Sequence, residues 1–268
     1  MTTPAAQGIR QVAVVLPAHD EDKHIGQALA ALGTAADALQ QARPEIQVRV
    51  TVVLDSCTDR SADITAAYVA GDPRFSSMNV ALRSTGASRR LGIRAALASL
   101  NPAQLNPAQL NPAQLQAGSL QAGSLQALWL ANTDADSTVP ANWLTRQVEL
   151  ADDGADAILG SVEPDPDDLD PSLLGRWLEL HPFREDHQHI YGANLGVRGS
   201  AYLAAGGFPK LRAHEDRVLV ERLRSHGFRV VATDTTRVLT SGRTHARAPE
   251  GFAAYLRVLG SELPAATG

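Results

Sequence analysis

Apolar residues arrive along the first two thirds of this chain in short, largely uninterrupted runs. Such runs stand at 11–16, 48–54, 78–82, 128–132 and 155–162. Runs that do not alternate with polar residues suit strands covered on both faces, as in a parallel sheet. Between them the apolar spacing becomes helical. Ile25, Leu29, Leu32 and Leu39 predict a helix over 24–41. Further helices are expected up to about 70, up to 100, and over 140–152 with Pro140 as first residue. Strand and helix alternate five times, which predicts an α/β fold with a mostly parallel central sheet covered on both faces. The pattern then turns irregular. It gives helices at 172–180, 201–205, from 214 onward and at 251–259, with strands at 192–198, 229–232 and 237–239.

One stretch obeys neither period. Over 101–125, Asn-Pro-Ala-Gln-Leu occurs three times in tandem and Gln-Ala-Gly-Ser-Leu twice. A five-residue period fits neither helix nor strand, and Pro102, Pro107 and Pro112 would each break a helix interior. This tandem expansion is expected to be a mobile surface loop between the third helix and the fourth strand.

Composition adds bounds. A chain of 268 residues, 44% hydrophobic and 20% charged, is ordinary for a globular protein able to bury a sizeable core. A net charge of −5 argues against a general nucleic-acid binder. Cys57 is the single cysteine, so no intrachain disulfide forms, and it reads as a small hydrophobe rather than a nucleophile. No apolar run reaches bilayer length and no secretory leader is evident, so the expected location is cytoplasmic, compatible with peripheral membrane contact.

Charged groups gather just past the strands. Asp20, Glu21 and Asp22 follow the first; helix-dipole preference for acids in a first turn accounts for them equally well. Asp55 follows the second and Arg89, Arg90 and Arg94 the third. Asp134 and Asp136 follow the fourth, at a spacing that serves one divalent cation and the group it holds. The carboxyl ends of parallel strands are where open α/β sheets bind ligands. His181, His187 and His189 form a weaker metal candidate, because no cysteine completes the set.

Six short stretches then carry a resemblance. Val-Val-Leu-Pro-Ala-His-Asp-Glu (14–21), the stretch 55–65, 86–92, Thr-Asp-Ala-Asp (133–136), Gly-Gly-Phe (206–208) and His-Glu-Asp (214–216) occur in the order seen in family 2 glycosyltransferases. The chain resembles that family from Val12 to His245, the repeats excepted. The resemblance implies a single GT-A domain, a three-layer α/β/α sandwich. Its nucleotide-sugar-binding half would be 11–162 and its acceptor-binding and catalytic half 172–250. It implies a nucleoside-diphosphate sugar as donor, a hydroxyl-bearing acceptor, and Mn²⁺ or Mg²⁺. Pro17, Ala18 and Glu21 would line the nucleotide pocket and Asp55 would hydrogen-bond the base. Arg89 would sit near the nucleotide and Asp134 would approach the ribose. Asp136 would bind the metal, Arg243 and His245 would close over the diphosphate with His245 a further metal ligand, and Asp216 would be the general base of an inverting transfer. Arg90 and Leu91 depart from the family's more usual asparagine region.

Two other readings are weaker. A sugar-phosphate nucleotidyltransferase generally carries a glycine-rich, lysine-bearing loop after its first strand, and 17–21 has no glycine. A dinucleotide-binding Gly-x-Gly-x-x-Gly is absent there too. A catalytically silent nucleotide-sugar-binding protein is opposed by the intact Asp134, Asp136 and Asp216.

Overall fold

The computed structural model describes residues 8–99, 122–211, 213–244 and 251–261. Among them, eight strands form one sheet in the order β3-β2-β1-β4-β7-β6-β8-β5. These are β1 (Gln11–Ala18), β2 (Gln47–Asp55), β3 (Phe75–Val80), β4 (Leu128–Asn132), β5 (Ser137–Thr138), β6 (Ala157–Pro164), β7 (Leu195–Arg198) and β8 (Val230–Thr240). β3, β2, β1 and β4 run parallel; β7 is antiparallel to both β4 and β6, and β8 runs parallel to β6.

Alternate residues of one strand enter opposite cores, which explains the continuous apolar runs. Val12, Val14 and Leu16 join one cluster with the helices α1 (Ile25–Ala42) and α5 (Trp143–Asp152), flanked by α2 (Ser61–Gly71). Ala13 and Val15 join the other, with α3 (Thr85–Ser99), α7 (Gly199–Ala204) and α8 (Glu215–Ser225). The result is the expected three-layer α/β/α arrangement. A smaller cluster links α6 (Pro171–Leu180) to α9 (Phe252–Ser261) through Leu173, Trp177, Leu256 and Leu259. No described helix is long and apolar enough to cross a membrane.

Several local expectations need correction. Asp20, Glu21 and Asp22 are not in the first turn of α1, which contains no acid. They form a loop, with Asp20 in the left-handed region at φ 51°. Its carboxylate accepts from the backbone N–H groups of Thr58 and Asp59, so it ties the β1 loop to the β2 loop. Pro140 precedes α5 instead of opening it, and its carbonyl accepts from Trp143 N–H. The stretch 192–198 divides into a 3-10 turn, Gly192–Asn194, and β7. The two expected strands at 229–239 are one, with a register shift opposite Gly160 and Val162. The last repeat also departs from a loop: Ala122–Gln126 is a short helix, α4, whose Leu125 packs on the second core. The remainder of the repeat segment, 101–121, lies outside the described residues.

The topology sets one edge apart. Ala18 lies opposite Leu54, Val15 opposite Asn132, and Pro164 opposite Thr240, so β1, β2, β4, β6 and β8 all end on the same side. Because β7 runs the other way, its beginning lies there as well, with Leu195 opposite Asn132. Buried Asn194 fixes that beginning. It accepts from Trp143 Nε1 and donates to the carbonyls of Ser161 and Thr236.

Candidate functional site

The residues after the strands meet at this edge in two arginine-centred groups. In the first, Arg243, three residues past β8, makes a two-pronged pair with Glu21 past β1. Nη1 and Nη2 each lie 2.8 Å from a carboxylate oxygen. Nη2 also lies 2.7 Å from Asp136 Oδ2, past β4. Forked guanidinium–carboxylate pairs of this kind are both directional and strong. Glu21 is buried, its backbone N–H held by Ser61 Oγ. Burial pushes the Asp136 carboxyl up to about 6; Arg243 opposes this, while Asp134 and Glu21 reinforce it.

In the second group Arg89, from the second turn of α3, stands buried between Asp134 and Glu215. Nη1 donates to Glu215 Oε1 at 2.5 Å and Nη2 donates to Asp134 Oδ1. Burial alone would lower the Arg89 pKa, but the Asp134, Glu215 and Asp216 charges outweigh it and the net direction is upward. Its Nε has no protein partner. Asp216, next to Glu215 in the first turn of α8, is partly exposed, and its Oδ1 accepts from Arg217 N–H at 2.8 Å.

Asp55 is already engaged. Oδ1 accepts from the N–H groups of Leu82 and Arg83 at 2.7 and 2.8 Å. Oδ2 accepts from Ser84 N–H and the Ser88 hydroxyl. Burial acts to raise its pKa, but these donors prevail and the carboxyl lies below its ordinary value. Asp55 thereby shapes the connection from β3 into α3. Pro17 and Ala18 close β1 beside it. Cys57 packs partly buried against the core, donates to the Ala18 carbonyl, and burial pushes its thiol pKa up, as an inert cysteine requires.

Of the expected residues, Glu21, Asp136 and Arg243 meet in one group and Arg89 and Asp134 in the other, and Asp216 stands beside Glu215. Three expectations need qualification. The Asp55 carboxylate, expected to hydrogen-bond a base, is taken up by the loop at 82–88. Asp134 and Asp136 do not face one another across a common partner; each is held by a different arginine. His245 lies outside the described residues. Among the described residues, the atoms that could converge on an ion belong to Asp20, Cys57 and Asp59, not to the histidines at 181, 187 and 189. Those acids already serve loop N–H groups, Asp59 accepting from Asp22 and Ser61. Glu215 is the residue that sequence reasoning left without a role. It sits inside the quoted His-Glu-Asp stretch, but only its partner Arg89 reveals its use.

No family model matches the chain, and no curated protein matches it by sequence. Solved structures do match in shape. A mannosyltransferase of Pyrobaculum calidifontis, in complex with GDP-Man and Mn²⁺, aligns with a TM-score of 0.57 at 16% identity. The alignment covers 95% of this chain and 61% of that one. GalNAc-T7 with UDP, GalNAc and Mn²⁺ gives 0.57 at 11% identity, covering 94% and 48%. TarS of S. aureus gives 0.55 at 14% identity, covering 94% and 39%. The chain thus spans between 39% and 61% of the length of these three proteins. It has the GT-A glycosyltransferase fold that its motifs implied.

Proposed function

We propose that this chain is a metal-assisted glycosyltransferase, moving a sugar from a nucleoside-diphosphate sugar to an acceptor hydroxyl with inversion. The observation that carries the reading is the convergence of Glu21, Asp134, Asp136, Arg89 and Arg243 at the one sheet edge where this fold exposes its strand ends. Sugar transferases of the same fold are known with Mn²⁺ and a nucleotide or nucleotide sugar bound.

The donor set suits a hard divalent cation. Asp136 offers carboxylate oxygens from a half-buried position; among the described residues its one cationic partner is Arg243, and Ser137 Oγ lies 3.3 Å away. We assign Asp136 and His245 to the metal, which when bound neutralises charge on the diphosphate. Pro17, Ala18 and Glu21 border the nucleotide pocket, with Asp55 shaping its wall, and Asp134 faces the ribose. Arg243, paired with Glu21 and Asp136, is the cation assigned to the leaving diphosphate. In the transfer, the acceptor oxygen forms a bond to the anomeric carbon while the bond from that carbon to the phosphate oxygen breaks. The electron pair leaves with the diphosphate, and Asp216 takes the acceptor proton. A location in the cytoplasm belongs to the same reading.

A thermal-shift panel of UDP- and GDP-sugars with and without Mn²⁺ tests this. At least one is expected to raise the melting temperature only when metal is present. Asp136→Ala is expected to abolish that metal-dependent rise; an unchanged rise would sink the metal assignment. Metal-dependent binding without turnover of any donor would leave a nucleotide-sugar-binding protein instead.

A further inference from the structure

The second arginine group joins three segments far apart in sequence. Arg89 comes from α3, Asp134 from the loop after β4, and Glu215 from the first position of α8. Arg89 and Glu215 are 4% and 5% exposed, so neither is a surface ion pair that water could replace. Room for the pair is made by two glycines. A β-carbon on Gly192 would stand 2.4 Å from Arg89 Nη1. One on Gly86 would stand 2.8 Å from Glu215 Cγ. Both separations are below any real contact, and Glu215 Cγ, close to its own backbone, has little freedom to retreat. Just before Glu215 the chain passes through a left-handed residue, His214 at φ 62°. That conformation is costly for a residue with a β-carbon. It lets the helix begin with Glu215 facing inward while Asp216 stays partly exposed.

We infer that Glu215 and Arg89 form a buried strut that sets the position of Asp216 relative to the Asp134–Asp136 acids, making Glu215 a positioning residue for the transfer step. This rests on the glycosyl-transfer reading above. Arg89 is then a positioning residue as well, since both its terminal nitrogens are committed to protein carboxylates rather than to donor. Anything that fixes Glu215 fixes the first helical turn, and with it the carboxylate one residue on. A displacement of about 1 Å at a reacting group lowers rate by about 100-fold.

The test uses the full chain and the sugar nucleotide picked out by the Mn²⁺ panel, with water as acceptor and nucleoside diphosphate release as the signal. Glu215→Gln removes the strut's charge, and Gly86→Ala shifts Glu215 while keeping every charge. Both variants are expected to lower kcat by about 100-fold. KM for the donor, and Kd for the nucleoside diphosphate with Mn²⁺ by calorimetry, are expected to stay within about threefold, corresponding to less than one factor of ten in the equilibrium constant. A purely structural pair would lower the melting temperature yet leave kcat unchanged below it. Turnover at the wild-type rate in Gly86→Ala and Glu215→Gln, measured on folded protein, overturns the inference. So does a loss of nucleotide binding in step with turnover, which would make Arg89 a donor contact. Should Glu215→Gln fail to fold, Gly86→Ala decides alone. A wild-type chain that binds no nucleotide with metal overturns the underlying reading, and the strut's catalytic role falls with it.

Discussion

Two aspartates at this edge follow opposite logics. Asp216 is partly exposed, and among the described residues its carboxylate is hydrogen-bonded only to the next residue's N–H, which suits the proton-accepting role proposed for it. Asp216→Asn is expected to leave metal-dependent nucleotide binding nearly intact and to lower turnover by about 100- to 10,000-fold. Equal activity in a steady-state assay would put the base elsewhere. Asp55 is the reverse: buried and saturated by donors from 82–88. Asp55→Asn turns an acceptor toward those N–H groups into a partial donor and is expected to cost about 3 kcal/mol by urea denaturation at pH 7. The sign of its pH dependence follows from the lowered pKa. The contribution is present in full above the unfolded carboxylate value near ~4. It is lost as pH falls through the lower folded value, where the wild type and the variant should converge. By local pattern Asp55 and Asp216 are alike, each an acid beside an element end, and only the family resemblance gave them different roles. What separates them is how many donors surround each carboxylate, and those donors lie more than 25 residues from Asp55 in sequence.

Among the elements, the strands and long helices were legible because a buried face imposes a period on local sequence. α1, β1, β2 and β6 appear close to where the pattern predicted them. The misreadings share a cause. The acids at 20–22 fitted a helix's first turn by the dipole rule, but they form a loop whose Asp20 carboxylate holds the β2 loop across about 40 residues of chain. The five-residue repeats offered no period to read, yet their final unit ends in α4. Its Gln126 carbonyl accepts from Arg198 Nη1 at 2.7 Å, tying the helix to the end of β7. Deleting two of the three Asn-Pro-Ala-Gln-Leu units is expected to change stability by less than about 1 kcal/mol, since closure entropy varies only slowly with length. A deletion carried through Ala122–Gln126 removes the Arg198 partner and is expected to lower stability clearly more. Chemical denaturation of the two deletion variants, with equal losses in both, would show that the repeats themselves are structural.

At the scale of the molecule, one strand direction decides what the site contains. β7 runs antiparallel between β4 and β6, so its entry turn, not its exit, arrives at the ligand edge. That brings Gly192 against Arg89, which in turn meets Glu215, 126 residues away in sequence. The same edge receives Arg243, 222 residues beyond Glu21. By itself the sequence determined the layered α/β architecture, the acids and arginines after the strands, and the ordered motifs that resemble family 2 glycosyltransferases. Each is a local property, set by the period of burial or by residues a few positions apart. Only the tertiary structure decided which arginine holds which acid, that Asp134 and Asp136 belong to different pairs, and that Glu215 has a use. Such pairing depends on strand order and direction, which bring together residues that no spacing along the chain relates.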